Sequence, residues 1–206
     1  SVLVITIDAP INGLRNREQR TEFSLPPNVR AVNIDTPPPL AHPGEGKSVV
    51  FQGLMAQAPI WEDIAFIQQH TSLPIVLKGI LNPLDAQKAA ELGVAGIVVS
   101  NHGGRALDSV PSPVEMLPII RQTVGDEMMV LADSGVRRGA DVVKLMALGA
   151  NAVLIGRPLM YGLATAGALG VAHTIRLLRD ELEMTMALCG VGSIEEINKH
   201  CLWPTA

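Results

Sequence analysis

A shift of 56 residues lays one part of this chain over another. Asp85 falls on Asp141, Lys88 on Lys144, Leu92 on Leu148, Gly93 on Gly149 and Gly79 on Gly135. In both copies a short apolar strand runs into a glycine turn, a helix, then Leu-Gly and another buried strand. Consecutive βα units with apolar strands belong to a parallel sheet, whose faces are both covered by crossover helices. Repetition of the unit favours a (β/α) barrel over a doubly wound sheet.

Five strands are expected, at Val2–Ile7, Pro74–Lys78, Ala95–Ser100, Met128–Ala132 and Ala152–Ile155. A helix is expected over Trp61–His70. Asn82-Pro83 opens another that stops at Gly93, because Asn accepts from first-turn amides and Pro suits the first helical position. Ser112-Pro113-Val114-Glu115 predicts a capping box with Gly125 as terminator, and Ser193-Ile194-Glu195-Glu196 predicts a second one opening a short terminal helix. Gly139–Leu148 is read as helical. Val171, Ile175, Leu178, Leu182 and Met186 recur at helical spacing and predict a long final helix. Between Ile11 and Gln57 no period is visible, and Arg15, Arg17, Arg20 and the run Pro37-Pro38-Pro39 mark a long, mostly irregular loop. A complete barrel needs eight strands and about 250 residues. The 206 residues are therefore expected to be the C-terminal part of a single α/β (β/α)8 TIM-barrel domain, about strands 4–8.

Composition narrows the class. Apolar residues make up 48% and charged ones 17%, enough apolar surface to exclude a disordered chain. A net charge of −4 argues against nucleic acid as a partner. Cys189 and Cys201 are too few for a disulfide framework or a four-ligand zinc site, and no metal is expected. No apolar run approaches the length of a membrane span. The expectation is a soluble, cytoplasmic protein.

In such barrels the chemistry lies at the C-terminal ends of the strands. Here those ends hold Thr6-Ile7-Asp8, Lys78-Gly79, Ser100-Asn101-His102-Gly103-Gly104-Arg105, Asp133-Ser134-Gly135-Val136-Arg137-Arg138 and Gly156-Arg157-Pro158. Gly135 with Arg137, and Gly156 with Arg157, each combine turn and helix N-terminal amides with a guanidinium, a set that binds phosphate. Read apart from each other, the same residues are surface salt bridges and turn formers. His102 precedes two glycines that let a ligand approach the backbone, and Arg105 offers an anion contact beside it. Asp8 ends a strand two positions earlier, and alternate strands fill the same barrel layer. Asp8 can therefore orient His102 as a base. Lys78, between them, has three readings: a cofactor anion contact, a Schiff-base lysine, or a snorkelling surface lysine.

The segments Lys78-Gly79, Ser100–Asp108, Asp133–Gly139 and Gly156–Pro158, with Thr6–Pro10 and Asn12–Arg15, resemble the FMN-dependent 2-hydroxy-acid oxidase/dehydrogenase family. That family includes glycolate oxidase, lactate oxidase, lactate 2-monooxygenase, (S)-mandelate dehydrogenase and flavocytochrome b2. The resemblance runs over essentially the whole chain. It implies an FMN cofactor and oxidation of a small L-2-hydroxy acid to the 2-oxo acid. His102 would take the substrate proton with Asp8 supporting it, and Arg15 and Arg105 would clamp the substrate carboxylate. Lys78 would stand beside the flavin N1 and C2 carbonyl. Thr6 and Ser100 would hydrogen-bond the cofactor, Asp133, Ser134, Gly135, Val136 and Arg137 would line its ribityl and phosphate, and Gly156 and Arg157 would complete the phosphate site.

Ser134 stands where the family more often has glycine, Gly104 where many members have alanine, and Asn12 at a position often apolar. The family's first three strands, and the tyrosines that contact substrate, have no counterpart in these residues. The chain alone is expected to bind flavin weakly and to turn over little. Oxygen, a quinone or a cytochrome domain would each serve as electron acceptor, and the resemblance implies a homo-oligomer, a tetramer or larger. Two other functions stay open on the residues: another FMN barrel of isomerase or nucleotide-reductase type, and a non-catalytic barrel fragment that binds a phosphate compound.

Overall fold

The structure, a computed structural model of the chain, describes residues 1–203 except positions 12, 14, 31 and 34–43. Asn12 and the Pro37–Pro39 run therefore lie outside the described residues. The chain divides into two compact units, Ser1–Asp8 with Thr71–Ala206, and Ala9–His70.

The first unit is built on five parallel strands: β1 (Leu3–Thr6), β2 (Ile75–Ile80), β3 (Gly96–Val99), β4 (Met129–Ala132) and β5 (Ala152–Val153). Their spatial order is β1-β2-β3-β4-β5. Every strand pairs with its neighbour in sequence, and the order never reverses. A doubly wound sheet needs a reversal point, so this is the strand order of a (β/α) barrel, as the repeat predicts. Helices α3 (Pro83–Glu91), α4 (Pro113–Val124) and α5 (Gly139–Ala147) supply the crossovers. The core lies under the middle strands, where Leu77, Ile97, Val98, Val99, Val130 and Ala132 are buried against Ala86, Ala89, Leu117 and Ile120. All of β3 is buried, whereas β1 alternates between exposed and half-buried residues.

Local signals set the helix ends. Asn82 Oδ1 accepts from the Leu84 amide at 3.0 Å, with Pro83 at the start of α3. The Glu115 carboxylate takes the Ser112 amide at 2.8 Å and the Ser112 hydroxyl as well. These two bonds hold the Glu115 carboxyl below its ordinary value. At the end of α4 the Arg121 guanidinium donates to the carbonyls of Gly149, Gly125 and Met128 and to Asn151 Oδ1. That staple fastens the helix to the entries of β4 and β5. Its burial lowers the Arg121 pKa.

The long final helix expected through Val171–Met186 is present: α6 runs over Arg157–Leu188, and the non-helical residues Ala166 and Gly167 split it into two segments, the second of which carries that apolar stripe. A carbonyl of one segment faces the backbone of the other at Gly162 and Gly170, a spacing that no side chain would permit. The terminal helix expected after Ser193 needs correction: the described residues there form 3₁₀ turns, Ile194–Glu196 and Lys199–Cys201. The Ser193 side chain makes no capping bond, and Glu196 instead accepts from the Gly192 amide at 2.8 Å.

The second unit carries α1 (Asn16–Arg20), a π-helical turn at Val49–Gly53, a 3₁₀ turn at Leu54–Gln57 and α2 (Trp61–His70). The stretch expected to be irregular thus contains short helical pieces. They are held by local bonds: Ser48 Oγ accepts from the Phe51 amide at 3.1 Å, and Asp63 takes the Ile60 amide at 2.8 Å. Among the described residues no helix is long and apolar enough to cross a membrane.

Candidate functional site

The strand tips of the first unit bring titratable side chains together. Asp8, just beyond β1, and His102, just beyond β3, meet with Oδ1 and Nδ1 2.9 Å apart, across 94 residues of chain. A carboxylate can only accept, so Nδ1 is the donor of this bond and Nε2 is the ring nitrogen it leaves uncommitted. Asp8 Oδ2 is buried and has no hydrogen-bond partner among the described residues.

A β-bulge makes this approach possible. The pairing of β2 with β3 shifts register between Lys78 and Ile80, and the residue between them, Gly79, has φ +111°. A Cβ at Gly79 would lie 2.5 Å from Asp8 Cβ and Cγ. Only glycine leaves room for the carboxylate to lean over the strand tip.

Lys78 points into the same mouth. Its Nζ lies 3.1 Å from Asp133 Oδ2 and 3.1 Å from Ser100 Oγ. Ser100 is fully buried and also accepts the His102 amide at 3.1 Å. This geometry removes the snorkelling reading of Lys78. His102 itself sits at φ +57°, a left-handed conformation that histidine tolerates better than most residues but that still needs outside support. Ser100 provides part of that support.

The loops after β4 and β5 form the far wall. Ser134 Oγ accepts the Gly103 amide at 3.0 Å and donates to Asp133 Oδ1 at 2.7 Å. Arg157 donates from Nη2 to the Gly103 carbonyl at 2.7 Å, so the arginine expected only at a phosphate also braces the His102 loop. The helix N-terminal donors expected at α5 are partly taken. Asp141 Oδ2 accepts the amides of both Arg137 and Arg138 at 3.0 Å. An anion at this turn is left with the Gly135 side of the loop and the arginine side chains. Behind it, Glu181 of α6 accepts from Gly139 N at 3.0 Å and Arg138 Nη1 at 3.2 Å.

These parts enclose a cleft of about 640 Å³, within the range of cofactor sites. Lys78, His102, Arg105, Asp133, Ser134, Gly135, Val136, Arg137, Gly156 and Arg157 line it. Asp8, Ser100 and Thr6 are not on its wall. Asp8 and Ser100 stand behind the wall as partners of His102 and Lys78, and Thr6 pairs in register with Lys78 at the tip of β1. Arg15 belongs to the other unit, where its Nη1 lies 3.3 Å from Glu18 Oε2. Motif reading missed two wall residues, Met160 and Tyr161. Tyr161 is the chain's one tyrosine, and its position four residues after Arg157, one helical turn on, was the available signal. The wall supplies three guanidinium groups, an ammonium and an apolar stretch through Val136, Leu154 and Ile155. That set fits a planar ligand bearing a phosphate dianion.

An L-lactate oxidase of Roseobacter sp. (strain GAI101) is 48% identical over 202 residues, covering 97% of this chain and 55% of the relative. A 2-hydroxyacid oxidase of Dictyostelium discoideum is 41% identical over 203 residues, covering 98% of this chain and 52% of the relative. Among solved structures, mandelate oxidase with (S)-2-phenylpropionate superposes with a TM-score of 0.83 at 41% identity, over 96% of this chain and 53% of that one. The chain thus spans about half the length of the curated relatives it matches. The family described as FMN-dependent dehydrogenase matches residues 1–204, and this chain belongs to it.

Proposed function

We propose that this chain provides the base, the phosphate-binding wall and the cofactor-facing ammonium of an FMN-dependent enzyme that oxidises a small L-2-hydroxy acid to the 2-oxo acid, within one barrel domain. The observation that carries the reading is the Asp8–His102 pair at 2.9 Å, with His102 on the wall of a cleft also lined by Lys78, Arg105 and Arg137. When bound, FMN supplies the two-electron acceptor.

His102 Nε2 takes one proton from the substrate, and Asp8 stabilises the imidazolium and keeps the ring oriented. Arg105 holds the substrate carboxylate through a charge-assisted fork. Lys78, steadied by Asp133 and Ser100, presents positive charge where the acceptor gains negative charge. Gly135, Val136, Arg137, Gly156 and Arg157 would hold the phosphate end of the cofactor, with Asp133 and Ser134 toward its ribityl chain. The substrate is of lactate, glycolate or mandelate type, in keeping with the names of the relatives above. Oxygen, a quinone or a cytochrome partner completes the cycle.

The test is anaerobic mixing of the protein as purified from its native host, loaded with FMN, with L-lactate, glycolate and (S)-mandelate. At least one should bleach the flavin absorbance. His102→Asn should retain the flavin and slow bleaching about 10²–10⁴-fold. Failure of every 2-hydroxy acid to bleach the flavin, or an undiminished rate in the variant, would overturn the proposal.

A further inference from the structure

We propose that Ser134 is a positioning residue whose hydroxyl ties the loop carrying His102 to the Lys78–Asp133 pair, holding base and ammonium in register. The inference rests on the reading of His102 as the base.

A closed ring of interactions carries it. Lys78 Nζ contacts Asp133 Oδ2 and Ser100 Oγ, and Ser100 Oγ accepts the His102 amide. On the other side Asp133 Oδ1 accepts the Ser134 hydroxyl, and Ser134 Oγ accepts the amide of Gly103. Two consecutive amides are thus held by two serines, both of which reach Lys78, one directly and one through Asp133. The loop needs such holding, because His102 and Gly103 are both left-handed, at φ +57° and +68°.

Ser134 is itself strained. Its φ of +72° is one that glycine adopts freely and side chains avoid. A strained non-glycine residue persists where its surroundings over-determine it, and such residues cluster at functional sites. Here the side chain gives a concrete reason: its hydroxyl accepts the Gly103 amide across 31 residues of chain and donates to the adjacent Asp133 carboxylate.

Two variants separate the hydroxyl from the backbone. Ser134→Ala keeps the strain and loses the hydroxyl, whereas Ser134→Gly loses both. If the tether matters, both variants behave alike at the site although their stabilities move apart. In the full chain, hydrogen exchange of the Gly103 amide, followed by NMR, should quicken about tenfold in both. In the FMN-loaded enzyme kcat should fall about tenfold in both, with KM little changed. Unchanged exchange in both variants overturns the proposal whether or not the protein turns over. Faster exchange with wild-type kcat overturns the positioning role. An impaired Ser134→Ala beside an unimpaired Ser134→Gly also overturns it, since the backbone alone would then decide. Faster exchange in a protein that oxidises no 2-hydroxy acid supports the tether and counts against the function reading instead.

Discussion

Asp8 and His102 stand 94 residues apart in the chain and 2.9 Å apart in space. Three features produce that contact: parallel strands two places apart in the sheet, a bulge in the strand between them, and a glycine at the bulge. The proposed chemistry depends on all three, and each can be disturbed separately.

Asp8→Asn replaces a pure acceptor by an amide that can donate. The favoured His102 tautomer then changes, and the proton moves to the nitrogen that should receive one from the substrate. The expected outcome is a fall in kcat of roughly 100-fold with flavin retained. Stopped-flow bleaching measures it, and a variant within twofold of wild type would detach Asp8 from the mechanism.

Gly79→Ala places a Cβ against the Asp8 carboxylate at a φ of +111°. A cost of about 1–3 kcal/mol in folding stability is expected from the strained backbone. The loss of activity should match that of Asp8→Asn, because the same contact is displaced. Urea unfolding and turnover on one preparation distinguish the two effects.

Gly139→Ala acts at the back of the phosphate loop. A Cβ there would collide with the backbone of Glu181 and Leu182 on α6, and main chain yields less readily than a side-chain tip. Destabilisation of about 2–3 kcal/mol is expected, as for overpacked cores. FMN affinity should weaken as well, since α5 carries the Arg137–Arg138 turn. An alanine variant with wild-type stability would disprove the close packing of α5 on α6.

Glu115 gives a pH dependence of known sign. Its carboxyl is held below the ordinary value of 4.5 by the Ser112 hydroxyl and amide. A depressed folded-state pKa contributes stability that is present above the unfolded value and is lost as pH falls through the folded one. The stability difference between wild type and Glu115→Gln should therefore be constant near neutrality and shrink below about pH 4.5. Thermal melts across that range check it, and a difference that grew on acidification would refute the assignment.

Much of the fold was legible because its determinants are local. Apolar strands, glycine stops and the Asn82 cap each act within a turn or two of the chain, and α2 spans the residues expected to be helical, Trp61–His70. The 56-residue repeat carried the strand order, since like βα units stack in sequence. The break in α6 was hidden because Ala166 and Gly167 leave the apolar spacing on either side intact. The terminal capping box failed for a related reason: its residue types were present, but the chain after Ser193 makes only a three-residue turn.

The site divides along the same line. Residue types at the strand ends announced an imidazole, guanidinium groups and an ammonium, because a barrel presents those positions to one mouth whatever the side chains do there. The partners they take needed three dimensions. Arg157 spends one donor on Gly103 across 54 residues, Asp141 takes amides that a phosphate was expected to use, and Ser134 closes a ring through Gly103 and Asp133. Hydrogen-bond energies depend on ångström distances between loops far apart in the chain, and spacing along a sequence carries no such distances.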